Sequence, residues 1–427
     1  MRFWGWVGLA IGLLWAQECN IIFVSPNGGT GPGVGTRENP AELNYAINNL
    51  LTPAIRRIYL AYGTYTLNQT LSLHDNLEIE GGFDPNQGWL KTNLYPTTLF
   101  RAAINPTPNP NRLVAIAGVN VSGFRIQDIE VYVEDATLLG GGTTTYGLYL
   151  SGCSNYVVNR CRFSAGAGAP GDPGANGAAG RNGADGQIGE EGAENGPCCR
   201  AGGAGGSSWS GGLVAGGRGG DGGQQGTCGL VGGTAYNGSA GTQGAPAIAQ
   251  PYAPAGGTGG AGGVGNDVVL STGCDNQPDQ NGQDGSPGSD GANGAPGAAG
   301  APTHFGGFFR PGDGQDGSDG QHGSGGGGGG GGGSFAACLF GIGNRATGAG
   351  GGGGGEGGEG GKGGRGGGGG GGSFGIYLHN NGSNGRFVDV VAESSLPGAG
   401  APGGLGGAGG RGGLGGVWRS QRLRRSD

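Results

Sequence analysis

The sequence predicts a β-solenoid with a large inserted bundle of polyglycine-II helices, and essentially no α-helix beyond a leader and one short cap. Three observations predict it. Short segments with alternating apolar residues fill the first third of the chain, and only one credible helix lies among them. One two-strand unit recurs far apart, since Tyr146-Gly147-Leu148-Tyr149-Leu150 returns as Phe374-Gly375-Ile376-Tyr377-Leu378. Glycine then occupies every third position in long runs of the remainder.

Composition sets the limits. Of 427 residues, 117 are Gly and 22 are Pro, and 12% are charged. An average chain has about 7% Gly and about 25% charged residues, so an ordinary helical or doubly wound domain is excluded over most of the length. Residues 1–164 hold 19 glycines and residues 165–427 hold 98. The expected organisation is a leader (1–16), β coils (17–163), a glycine-rich insertion (164–333), a return strand (334–347), a glycine helix (348–372), a further coil (373–394), a glycine segment (395–416) and a basic tail (417–427). The net charge is −7 and no domain is basic, which argues against a nucleic-acid partner.

The N-terminus reads Met1-Arg2, then apolar from Phe3 to Trp15, then Ala16. One positive charge, a short apolar core and a small residue match a secretory signal peptide cleaved after Ala16. The apolar run is too short to span a membrane, which takes about 20 residues. Secretion makes disulfides the default for Cys19, Cys153, Cys161, Cys198, Cys199, Cys228, Cys274 and Cys338. Zinc is the competing reading, but no CxxC pair exists and adjacent Cys198-Cys199 is poor tetrahedral spacing. Connectivity stays open.

The β region starts at 20–24 and continues through 58–60, 71–73, 77–79, 113–116, 119–126, 129–133, 147–150 and 156–163. In Ile129-Glu130-Val131-Tyr132-Val133 every second residue is apolar. The helix is expected over 40–51. Asn39 would cap it, Pro40 sits at its first position and Glu42 at its third, and Leu43, Ile47 and Leu50 form one stripe. The repeat decides between sandwich and solenoid. Each copy is followed by Ser-Asn, at Ser154-Asn155 and Ser383-Asn384, and then by a second strand. Phe335-Ala336-Ala337-Cys338-Leu339-Phe340 reads as a third, degenerate copy. One unit repeated at irregular distance is solenoid behaviour.

By Ile58-Tyr59-Leu60-Ala61-Tyr62-Gly63-Thr64-Tyr65, Leu77-Glu78-Ile79-Glu80-Gly81-Gly82-Phe83, 119–129 and 146–163, the chain resembles right-handed parallel β-helix proteins of the pectate-lyase-like type. The resemblance covers 17–163 and the returns near 335 and 375. It implies a short helix capping the first coil, which suits 40–51. Enzymes of this fold often use carboxylate-bound Ca²⁺ and a basic residue on acidic polysaccharides.

The glycine runs keep period three at 168–192, 217–232, 282–300, 314–332, 348–372 and 400–415, with shorter runs at 238–244 and 257–263. Collagen needs that period but also Pro at roughly 15–20%, and here the register resets between runs. A helix of polyproline-II type has three residues per turn and no internal hydrogen bonds. Its N–H and C=O groups need neighbours, and glycine at every third position leaves a bare face for close approach. This design is similar to the six-helix antifreeze protein of snow fleas and to glycine-rich tips of some phage adhesins. Runs with one glycine stripe, 168–192 and 282–300, belong at the edge. Runs bare on two or three faces, 325–333 and most of 348–372, belong inside. A flexible linker is the competing reading.

Candidate chemistry is sparse. His74, His304, His322 and His379 are not spaced as metal pairs. Asp128, Glu130, Glu134 and Asp135 form the densest acidic group, Lys91 and Lys362 are the only lysines, and no basic residue is recognisably spaced with that group. Strand alternation accounts for it. Asp313, Asp316 and Asp319 recur at three and are the metal candidates, with Ca²⁺ as the ion and a solvated edge as the alternative. Gly216-Gly217-Arg218-Gly219-Gly220-Asp221 starts like a calcium-binding nonapeptide but has Gly223 where that motif needs an apolar residue.

The expected protein is secreted, noncatalytic and without cofactor, structural or adhesive in role, with surface or matrix glycans or self-association as partners. A polysaccharide-acting enzyme would need an acidic groove with a basic residue in reach. Ice binding would need a flat face of small residues. A self-assembling fibre would need exposed end coils. No second solenoid cap or surface-sorting domain is visible after Gly416, which leaves truncation open.

Overall fold

A computed structural model describes residues 20–92, 94–192, 214–245, 266–268, 298–340 and 342–417. The expected leader, Cys19, Cys198, Cys199, Cys274, most of the run 282–300 and the end of the basic tail lie outside the described residues. The chain divides into two compact units. One takes Met1–Asp172, Ala298–Gly312 and Gly369–Gly400, and the other takes Pro173–Gly297, Asp313–Gly368 and Ala401–Asp427.

The first unit is nearly all β. Its strands are β1 (Ile21–Gly29), β2 (Arg57–Ala61), β3 (Gly63–Leu67), β4 (Leu71–Ser72), β5 (Glu78–Asp84), β6 (Leu90–Lys91), β7 (Thr97–Arg101), β8 (Arg112–Val119), β9 (Arg125–Gln127), β10 (Glu130–Val133), β11 (Thr144–Ser151), β12 (Val157–Asn159) and β13 (Arg162–Ser164). The late strands Ser373–His379, Arg386–Val388 and Val391–Glu393 complete three sheets. The first runs β1-β2-β5-β9-β12 to Arg386–Val388, the second β3-β7-β10-β13 to Val391–Glu393, and the third β4-β8-β11 to Ser373–His379. All these pairings are parallel. Only β6, folded back on β5, is antiparallel.

Alternation explains the layers. Ile58, Leu60, Ile79, Leu99, Ile126, Val131, Leu148, Leu150, Val158 and Phe163 point inward and share one core. The corner between the first two sheets is one residue in the left-handed region each time: Asp128 (φ 56), Arg160 (φ 48) and Asp389 (φ 52). Asp tolerates that region because its short side chain bonds locally, while Arg occupies it at a cost of order 1 kcal/mol.

The helical cap is shorter than the sequence predicts and starts later. An α turn, Leu43–Tyr45, runs into a π turn, Ala46–Leu50. Glu42, not Asn39, is the cap, and its carboxylate accepts the N–H groups of Asn44 (2.9 Å) and Tyr45 (2.7 Å). Residues 40–42 are drawn into the sheet edge instead, since Ala41 bridges Val24 and Gly29 and the Glu42 N–H donates to Gly29 O at 2.8 Å.

A hairpin, Ala298–Phe305 with Phe308–Gly312, also belongs to this unit, in a region expected to be glycine helix. Phe308 stacks on Tyr149 at 4.1 Å with the Arg112 guanidinium 3.9 Å from the Phe308 ring, and the Phe309 N–H donates to the buried Tyr146 hydroxyl at 3.0 Å. Large aromatics on the outer face of β11 thus find cover.

In the second unit, backbone groups bond from segment to segment at every third residue. The N–H groups of Gly174, Gly177, Gly180 and Gly183 donate to Pro402, Leu405, Ala408 and Arg411 at 2.8–2.9 Å. The stretch 347–367 exchanges bonds with four others. Gly351 donates to Gly220 and Lys362 donates to Ala178, both at 2.8 Å, while Gly352 accepts from Gly329 at 2.7 Å and Lys362 accepts from Gly407 at 2.8 Å. Residues 347–358 are buried throughout, whereas 173–192 show two exposed positions per triplet, with the third part-buried at every turn but Gly189, which is buried. Close approach explains the glycines. A Cβ on Gly354 would lie 2.0 Å from Gly326 O.

Two expectations are corrected here. Phe335–Leu339 is not a third coil copy. It pairs with Asn266–Val268 and Ile342–Ala346 within the second unit, because it belongs to a local three-stranded sheet. Cys153 and Cys161 are not in disulfides. Both are free thiols in the core of the first unit, where each fills an inward position between parallel strands. Cys228, in the second unit, is disulfide-bonded.

Candidate functional site

Among the described residues of the first unit, ionisable side chains gather at the Asp128 corner. The parallel stacking of β9 on β12 places Arg160 over Asp128, 32 residues apart. Arg160 grips both carboxylate oxygens, Nε to Oδ1 at 2.6 Å and Nη2 to Oδ2 at 2.9 Å. From the other side β6 brings Lys91, whose ammonium bridges Asp128 and Glu80. Gln127 Nε2 donates to Glu80 at 2.9 Å and to Asp128 at 3.0 Å. On the neighbouring second sheet, Arg162 donates to Glu393 at 2.8 Å, and the Tyr132 hydroxyl donates to Glu130 at 3.3 Å.

A cleft of about 370 Å³ opens beside this corner. Asp128, Glu130, Arg160 and Arg162 line it together with Thr92, Tyr95 and Pro96. Burial alone would raise the Asp128 pKa, but the hydrogen bonds from Arg160, Lys91 and Gln127 outweigh it and hold the carboxyl below its ordinary range. The bond to Asp128 raises Arg160 in turn. Beneath the cleft, burial pushes the Cys161 thiol up to about 11, so it is protonated at neutral pH. The corner is a set of matched ion pairs, with Asp128 ionised and Lys91 held between two carboxylates.

Sequence reasoning found Asp128 and Glu130 and missed Lys91, Arg160 and Arg162. The signal for Arg160 and Arg162 was an offset of 32 residues between parallel partners, which links Gln127 to Asn159 and Asp135 to Ala167 as well. Glu134 and Asp135 do not join the corner. Glu134 accepts the Ala103 N–H and Asp135 the Ala167 N–H, both at 2.6 Å.

The Asp ladder has another occupation. Asp316 accepts the Gly366 N–H at 2.8 Å, and Asp319 accepts the Gly363 N–H and the Lys362 ammonium, both at 2.9 Å. His322 Nδ1 continues the series by accepting the Gly360 N–H at 3.1 Å. Asp313 has a polar or electrostatic partner too. Among the described residues, no three His, Cys, Asp or Glu side chains come together as a metal cluster. His379 Nδ1 meets Ser151 Oγ at 3.1 Å, and His304 Nδ1 meets the Tyr377 hydroxyl at 2.8 Å. No helix among the described residues is long and apolar enough to cross a membrane.

No protein-family model matches the chain, and no curated protein matches it. Among solved structures, a rhamnogalacturonan lyase is similar at 15% identity with a TM-score of 0.22. That match covers 34% of this chain and spans 41% of the length of the lyase.

Proposed function

We propose that this is a secreted, noncatalytic structural or adhesive protein, in which a right-handed β-solenoid and a bundle of polyglycine-II helices are built from one chain. The observation that carries the reading is the backbone exchange of 347–367 with four other segments at every third residue. That period matches three residues per turn, and helices without internal hydrogen bonds must bond sideways. The solenoid reading rests on the three parallel sheets, which the chain visits in the same order on successive passes from β2 onward. Low charge and a protected backbone suit a rigid, protease-resistant spacer or binding face.

Amide hydrogen exchange of the secreted chain tests this. Glycine N–H groups at 351, 354 and 357 should exchange orders of magnitude more slowly than in an unstructured glycine linker. Exchange at unstructured rates there would overturn the bundle.

A polysaccharide-acting reading has one observation in its favour, the juxtaposition of Lys91 and Arg160 with Asp128 beside an open cleft. Against it, every one of these charges is already engaged by another. Incubation with acidic polysaccharides distinguishes the two readings. Chain cleavage that disappears with Lys91→Ala would favour the enzyme, and undiminished substrate would favour the structural role.

A further inference from the structure

Six of the described asparagines precede a glycine: Asn27, Asn176, Asn182, Asn237, Asn381 and Asn384. This dipeptide is chemically fragile, because glycine has no side chain to shield its nitrogen from the amide before it. The glycine N–H gives its proton to hydroxide, and the nitrogen attacks the asparagine Cγ. A five-membered succinimide forms, and ammonia leaves with a proton taken from water. Water then opens the ring at either carbonyl. The product is an aspartyl residue, or an isoaspartyl residue whose main chain runs through the former side chain. The reaction needs both the glycine N–H and the asparagine amide to be loose.

Three of the six pairs are clamped at both groups by a single residue. The Gly177 N–H donates to Leu405 O and the Leu405 N–H donates to Asn176 Oδ1, both at 2.8 Å. Arg411 holds Asn182-Gly183 in the same way, again at 2.8 Å twice. Cys153 does so for Asn381-Gly382 in the first unit, with both bonds at 2.8 Å. Asn27-Gly28 lies within β1, where a Cβ on Gly28 would stand 1.9 Å from Ala41 O. Asn384 is fixed in the left-handed region with its amide donating to Asn155 Oδ1 at 3.1 Å.

Asn237-Gly238 differs, because its segment bonds through the residues on either side. The Ser334 N–H donates to Tyr236 O, and the Ser239 N–H donates to Asp221 O, both at 2.8 Å. Among the described residues, no backbone acceptor takes the Gly238 N–H. Asn237 is exposed and has a polar or electrostatic partner of its own, but the attacking nitrogen belongs to Gly238.

We infer that Asn237 is a modification site of this chain, the described Asn-Gly pair at which the native protein deamidates. An isoaspartyl link there adds one carbon to the main chain between the anchors at Tyr236 and Ser239, which breaks the three-residue period of 238–244. The inference goes beyond the structural role proposed above and rests on hydrogen bonds, not on that role.

Peptide mass mapping of the full chain, aged for weeks at pH 8, tests it. A bonded glycine N–H becomes reactive only on local opening, so Asn237 should deamidate roughly tenfold or more faster than Asn176, Asn182 and Asn381. The same chain aged in denaturant loses the clamps, and all four should then react alike. Asn237→Gln should abolish the reaction at that position and leave the other sites unchanged, since glutamine would have to close a slower six-membered ring. Equal rates at the four sites in the native protein, or a faster reaction at Asn27 or Asn384 than at Asn237, would overturn the inference. The level of failure is readable too. Slow reaction at all four removes only the modification site, whereas fast reaction at Asn176 and Asn182 removes the bonded glycine segments as well.

Discussion

Asp128 stands in the left-handed region at a corner, holds two cations and lines the cleft. Asp128→Asn keeps the shape and loses the charge. It should cost about 1–3 kcal/mol, because Arg160 loses its carboxylate partner and Lys91 keeps only Glu80, as read by chemical denaturation. Asp128, Asp319, Glu359 and Glu393 all have pKa values below their ordinary 3.8 or 4.5. A depressed folded pKa adds stability above the unfolded value and loses it as pH falls through the folded one. Melting temperature should therefore hold from neutral pH down to about 5 and fall below about 4, with a shallower fall in Asp128→Asn. A flat profile to pH 2 would contradict the ion-pair account. The buried thiols give a simpler check. Cys153 and Cys161 are free and at most 3% exposed, so iodoacetamide at pH 8 should leave both unmodified in the native protein and label both after unfolding.

At the scale of elements, the glycine segments solve a satisfaction problem. Where one backbone cannot accept a neighbour's N–H, a polar side chain at triplet spacing does. Asn176, Asn182 and Asp185 accept from Leu405, Arg411 and Leu414 at 2.7–2.8 Å. Glu356 and Glu359 accept from Ala184 and Arg181 at 3.0 and 3.2 Å. The Asp series that resembled a calcium ladder belongs to this class. Two substitutions separate bare-face packing from side-chain capping. Gly354→Ala puts a methyl into Gly326 O and should cost about 3 kcal/mol or more. Asn182→Leu removes one exposed acceptor and should cost about 0.5–1.5 kcal/mol. Equal costs, measured by thermal unfolding, would mean that close approach is not what selects glycine. The triplet period was legible in the sequence. Which polar residues cap which segment was not, because partners such as Asn182 and Arg411 lie 229 residues apart.

At the scale of the molecule, the two units differ in their covalent ties. The first has free thiols in its core, and the second contains the disulfide-bonded Cys228. Mild reduction should expose residues 214–245 to limited proteolysis and leave 20–164 resistant, because loss of a disulfide typically costs about 2–4 kcal/mol in the unit that holds it. Equal loss in both units would contradict this division.

The sequence by itself determined the β-rich first region, the alternation that turns Val131 and Val133 inward, the late return of a strand at 373–379, and the exact glycine period. These are local patterns, and local chemistry writes them. Tertiary structure decided what meets across parallel strands. Glu80 and Gln127 are 47 residues apart, Asp128 and Arg160 32, and Ser164 and Glu393 229. The 32-residue offset reveals Arg160 over Asp128 but not Glu80 beneath Gln127, because the spacing between parallel partners changes from strand to strand while the register stays fixed. Cys153 and Cys161 likewise read as disulfide candidates from count and compartment. Their burial at inward positions between parallel strands, a matter of register alone, left them as thiols.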